Sequence, residues 1–104
     1  MNAKRFNEVL DARLAKTKMV LFKKAQEYQS DDDRLHNFKR AAEINQESSA
    51  EALWGMASKH LVSVLDMIDG AQEPTAFMID EKIGDMINYL ILLEAVLLEG
   101  IDDE

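Results

Sequence analysis

Apolar residues recur along this chain at three- and four-residue spacing, and they never alternate with polar ones over the length of a strand. The pattern predicts helices. The first runs from about Ala3 to Tyr28 on the row Phe6, Val9, Leu10, Leu14, Val20 and Leu21. A polar connector follows, Gln29-Ser30-Asp31-Asp32-Asp33, with Asp33 placed to cap what comes next. A short helix over about 34–45 carries Leu35, Phe38, Ala41, Ala42 and Ile44. Ser48 and Glu51 have the spacing of a capping box, in which each side chain satisfies a free backbone N–H beside the other. That box opens a third helix, which reaches about Asp69 and stops at Gly70, a residue suited to a left-handed cap. Glu73-Pro74-Thr75 restarts the chain, and a fourth helix is expected over about 75–99, ended by Gly100, with residues 101–104 as a fraying tail.

Three long helices and one short one, joined by short connections, predict a single all-α domain over 1–104, an antiparallel helical bundle. From Met86 to Leu98 only Asn88 and Glu94 are polar, so the fourth helix is apolar on more than one face. Either it lies centrally or it meets another subunit; a homo-oligomer formed through the 75–99 helix is the expectation.

Composition narrows the picture. With 104 residues the chain makes one modest core and stands to gain from association. No cysteine is present, which removes disulfides and thiolate metal sites. No apolar run is long enough to cross a bilayer comfortably, and the first residues lack the apolar core of a signal peptide, so a cytoplasmic protein with no membrane partner is expected. The net charge of −8 suits duplex DNA poorly. It is compatible with a nucleotide held through divalent cations, and equally with acidity that serves solubility alone.

The candidate chemistry lies in polar groups on otherwise apolar rows. At about 100° per residue, Glu81, Asp85, Asn88, Tyr89, Leu92 and Val96 share one sector of the fourth helix. Two carboxylates directed inward need a partner, a proton or a cation. They could be served by the helix dipole and a lysine, but that dipole fades beyond the first turn and helps Asp85 little. Hard cations such as Mg²⁺ favour carboxylate oxygens, and Glu27 can offer a third from a facing helix. His60 interrupts the row Leu53, Met56, Ala57, Val64 and Ile68; it is either a hydrogen-bonded core histidine or a group that orients a ligand. Asp66 is expected on a solvated face, and Trp54 to one side of the row, over a core edge or a ligand base. Lys24, Glu27 and Tyr28 continue the first helix's row.

The segment Glu81-Lys82-Ile83-Gly84-Asp85-Met86-Ile87-Asn88-Tyr89-Leu90 resembles the metal-binding helix of the all-α nucleotide pyrophosphohydrolases, the MazG and dimeric dUTPase-like enzymes. It is more similar still to small phage and prophage proteins linked to nucleotide metabolism or DNA modification. In those, an acid precedes the Asp by four residues and a Tyr follows by four, as with Glu81, Asp85 and Tyr89. Their early Lys-x-x-acid-Tyr element is matched by Lys24, Glu27 and Tyr28, and an Asn-Phe pair by Asn37 and Phe38. The chain departs from the pyrophosphohydrolase pattern at Lys82, where a Glu is usual, and in having no Glu-x-x-Glu pair on the third helix.

The resemblance implies a MazG-like bundle and Mg²⁺- or Mn²⁺-assisted hydrolysis of a nucleoside triphosphate between the α- and β-phosphates. Glu27, Glu81 and Asp85 would hold the cation. Lys24 or Lys59 would meet phosphates, and Tyr28, Phe38, Trp54 or Tyr89 would stack on the base. His60 would orient a ligand or a water, so His60 and Lys59 are the catalytic candidates. The departures leave two alternatives open: a non-catalytic module that binds a nucleotide or another partner, and a structural oligomer.

Overall fold

The computed structural model describes residues 1–28, 33–70 and 73–102; of residues 26–28 it describes the backbone alone. Four helices follow one another: α1 (Ala3–Tyr28), α2 (His36–Asn45), α3 (Ser49–Ile68) and α4 (Ala76–Asp102). Among the described residues there is no β-strand, and no helix is long and apolar enough to cross a membrane.

Local chemistry sets most of the ends. The capping box is formed: Ser48 Oγ accepts from Glu51 N–H at 3.1 Å, and Glu51 Oε1 accepts from Ser48 N–H at 3.2 Å. Those bonds hold the Glu51 carboxyl below its ordinary pKa. Gly70 takes the left-handed conformation after α3, with φ +75°. The left-handed residue after α2 is Gln46, at φ 56°. Thr75 opens α4 by accepting the N–H of Met78 on its hydroxyl at 3.1 Å. Asp33 lies just ahead of the position before α2. Its carboxylate accepts the N–H of Leu35 at 2.9 Å, and its carbonyl accepts that of His36 at 3.3 Å. Asp31 and Asp32 lie outside the described residues. Gly100 does not end α4, which continues to Asp102; a glycine costs a helix only about 1 kcal/mol.

The core is small. Leu35 and Phe38 beside and on α2 meet Leu53 and Ala57 of α3, and Met86, Tyr89, Leu92, Leu93 and Val96 of α4 pack against them. Leu53 is wholly enclosed. The two helices α3 and α4 are antiparallel, so Ser48–Ala50 neighbours Val96 and Gly100 while His60 faces Asp85. The first helix crosses α4 in the same sense. Arg13 and Lys16 both bind Asp80, Thr17 lies beside Gly84, and Lys24 comes further along, beside Asn88 and Tyr89. The short α2 is fastened from its centre: Lys39 Nζ pairs with Asp33 Oδ2 at 2.6 Å and with Glu99 Oε1 at 2.5 Å.

One glycine has a steric reason to be where it is. A Cβ on Gly84 would lie 2.5 Å from Arg13 Nη1. The bare backbone lets the guanidinium lie across α4, where Arg13 Nη2 donates to the Asp80 carbonyl at 3.0 Å and to its carboxylate.

A large apolar surface stays uncovered. The chain exposes 7705 Å² where a folded monomer of its mass shows about 5,900 Å². Its radius of gyration is 15.8 Å, against about 13 Å for a compact domain of this length.

Candidate functional site

The row on α4 and the row on α3 face each other, and where they open towards α1 and α2 they leave a pocket of about 350 Å³. Its wall includes Lys24 from α1, Arg34 before α2, Asn37 and Phe38 on α2, and Met56 and His60 on α3. The α4 wall is Asp85, Asn88, Tyr89 and Leu92. Lys24, Phe38, His60, Asp85 and Tyr89 are thereby brought together, as is Asn37. These residues lie far apart in the sequence and belong to all four helices.

The geometry inside is specific. His60 Nδ1 lies 3.5 Å from Asp85 Oδ2, and both side chains are about one-third exposed, at 35%. The imidazole leans over the Tyr89 ring, with centroids 4.9 Å apart and planes tilted by 31°. Burial and then the Asp85 charge push the Tyr89 hydroxyl above its ordinary pKa, so it remains a neutral donor at physiological pH. Arg34 is oriented by donation from Nη2 to the Leu21 carbonyl at 3.3 Å. Among the described residues of the wall, Lys24 and Arg34 set two cations against the Asp85 carboxylate, a sign opposite to the chain's net charge of −8.

Asn88 is buried, at 6% exposure, and its Oδ1 has no hydrogen-bond partner among the described residues. It adjoins both this pocket and a smaller one of about 180 Å³ between α1 and α4. Thr17, equally buried, lines the smaller pocket with Oγ1 likewise unpartnered. A buried polar atom left unmatched costs about 1–3 kcal/mol, so an amide held at a pocket wall in this way favours a ligand that supplies a donor.

The remaining candidates lie elsewhere. Glu81 is exposed and lines the smaller pocket, which corrects the expectation that both α4 acids point inward. The sector at residue 81 opens on the gap beside α1. Lys59 is exposed and Trp54 is 43% exposed, and neither lines the larger pocket. Asp66 is exposed, as its position on α3 suggested. The side chains of Glu27 and Tyr28 lie outside the described residues. Arg34 went unnoticed in the sequence because it directly follows the acidic turn and reads as its counter-charge. Asn88 carried a legible signal, an amide inside an apolar run.

Among the described residues no group of three His, Cys, Asp or Glu side chains could hold a metal ion. Asp85 is the only carboxylate in the described wall, and it already faces His60. A Mg²⁺ or Mn²⁺ ion prefers several oxygens in fixed geometry. The described side chains do not by themselves form such a cage.

No family model, curated protein or solved structure matches this chain.

Proposed function

We propose that this chain binds a nucleoside phosphate in the larger pocket. One observation carries the reading: segments singled out in the sequence for a nucleotide-enzyme resemblance line one pocket with a cationic mouth and aromatic walls. Lys24 and Arg34 would take the phosphates, Lys24 as a point charge and Arg34 through its planar fork. Phe38 and Tyr89 would flank the base. Asn37 and Asn88 would supply amide hydrogen bonds, with the unpartnered Asn88 Oδ1 accepting from a base N–H. The volume of about 350 Å³ lies in the range of small-molecule pockets.

A second reading, hydrolysis between the α- and β-phosphates, is favoured by the His60–Asp85 pair. A carboxylate 3.5 Å from an imidazole can orient that ring to polarise a water next to a bound phosphate. Any cation would come with the substrate or rest on Asp85 together with groups beyond the described wall.

Titration calorimetry with a panel of nucleoside mono-, di- and triphosphates, with and without Mg²⁺ or Mn²⁺, tests the first reading. Pyrophosphate release from the same mixtures tests the second. Binding without release leaves a nucleotide-binding module, and release establishes a hydrolase. If no nucleotide binds at about 1 mM, a concentration equivalent to only about −4 kcal/mol, both readings fail.

A further inference from the structure

The outer face of α4, turned away from α1 and α3, carries a seam of its own. Ile83, Ile87, Leu90, Glu94, Leu97 and Ile101 follow one another at alternating spacings of four and three residues, the repeat of a helix that pairs with a second helix. Leu90 is 49% exposed, Leu97 53% and Ile101 66%, and the flanking Ile91 and Leu98 are exposed as well. Glu94 is the single charge among these six positions.

We propose that this face is the interface of a homodimer, with α4 of one copy antiparallel to α4 of the other. Three observations select a second copy of this chain. The first is area. The surface beyond that of a compact monomer is roughly 1,800 Å² per chain, while a stable interface needs about 800 Å² from each partner. That excess counts polar as well as apolar surface and includes the exposed start of α1, around Phe6, Leu10 and Leu14; on α4 its apolar part is carried by Leu90, Ile91, Leu97, Leu98 and Ile101.

The second is charge. A parallel pairing would set Glu94 against its own copy in the seam, and like charges facing each other across an interface are costly. In the antiparallel register that places Ile87 opposite Leu90 of the second copy, Glu94 lies against Ile83 of that copy, and the two Glu94 positions stand about 16 Å apart along the pair. The third is self-sufficiency, since an isologous seam requires the same patch on both partners, and five of these six positions are apolar. The interface uses the side of α4 opposite Asn88 and the pocket, and it does not depend on the nucleotide reading.

Sedimentation equilibrium and light scattering of the full chain decide it. The expected mass is twice 11.8 kDa. Leu90→Glu with Leu97→Glu should weaken the dimer by at least about 100-fold, because Leu90 lies beside the two-fold axis and Leu97 one heptad further along the seam. Both are half-exposed in the isolated chain, so the helical circular dichroism of the monomer should persist. Leu97→Cys should not cross-link to its own copy on oxidation, because in the antiparallel register the two positions stand about 25 Å apart along the pair. A monomer at about 100 µM overturns the proposal. So does an assembly that the two leucine changes leave intact, or one larger than a dimer. A Leu97→Cys chain that readily oxidises to a disulfide-linked dimer overturns the antiparallel register.

Discussion

The Arg13 guanidinium lies directly over Gly84, at a distance that a methyl group on residue 84 would close to 2.5 Å. That close approach is the main seam between α1 and α4, and it sets two effects of opposite sign against each other. Replacing a helix-interior glycine by alanine stabilises by about 1 kcal/mol through propensity. Displacing Arg13 breaks its hydrogen bonds to the Asp80 carbonyl and carboxylate, but the guanidinium is the far end of a flexible side chain in a partly exposed ion pair, so the offset is partial. Gly84→Ala is therefore expected to stabilise less in urea unfolding than Gly55→Ala, which stands in open space on α3 and should stabilise by about 1 kcal/mol. In an Arg13→Ala background the difference between the two should vanish; if it persists, Arg13 is not its cause.

Among the described residues, Leu53 is the one large side chain enclosed completely. Truncating it to alanine should cost about 3 kcal/mol, near the middle of the range for buried leucines. Thermal unfolding monitored by circular dichroism checks this, and a loss below about 1 kcal/mol would mean that the core reseals around the gap.

Ser48→Ala removes the side-chain acceptor from the start of α3, with an expected cost of about 1 kcal/mol. Ser48→Gly should cost only a few tenths, because glycine is itself a tolerated cap. Equal losses in the two variants would show that the hydroxyl contributes little.

Acid should loosen the fold in a defined window. The Asp80 carboxyl is held below its ordinary value by Lys16 and Arg13, and that of Asp33 by Lys39 and the Leu35 N–H. Lowered folded-state values mean that this stability is complete above the unfolded pKa near 3.8 and is lost as pH falls through the folded values. Unfolding free energy is thus expected to be flat from neutral pH down to about 5 and to decline below about 4. Asp80→Asn should flatten part of that decline. An unchanged profile would mean that Asp80 titrates alike in both states. At the other end Tyr89 ionises more readily unfolded than folded, so stability should start to fall as pH rises past about 10.

In the pocket, Lys24→Ala and Arg34→Ala should each weaken a bound nucleoside phosphate by about tenfold, and more for triphosphates than for monophosphates. Trp54→Ala, outside the wall, should leave affinity unchanged. If Trp54→Ala matters and the two cations do not, the ligand sits elsewhere.

Helix positions were largely legible because their signals are local. The Ser48–Glu51 box, Gly70 and the row of α1 each act within a few residues. Gly100 misled because a glycine's preference for ending a helix is weak, and Glu99 beside it is held by Lys39. For the site, the sequence picked out His60, Asp85, Tyr89, Lys24 and Phe38 separately. It could not show that His60 would meet Asp85, since that depends on the stagger of α3 against α4. Nor could a helical wheel separate Glu81 from Asp85. Both occupy one angular sector, but only Asp85 has a third helix opposite it. The role of Gly84 is likewise invisible until the arginine of another helix is laid over it.

Lys39 joins the turn before α2 to the last turns of α4, and Phe38 is its immediate neighbour in sequence. The aromatic wall of the pocket and the three-charge knot thus ride on one half-turn of backbone. A tug on the carboxy-terminal end of the molecule is mechanically a tug on the surface where a base would lie, so trimming or tagging that end should be felt inside the pocket.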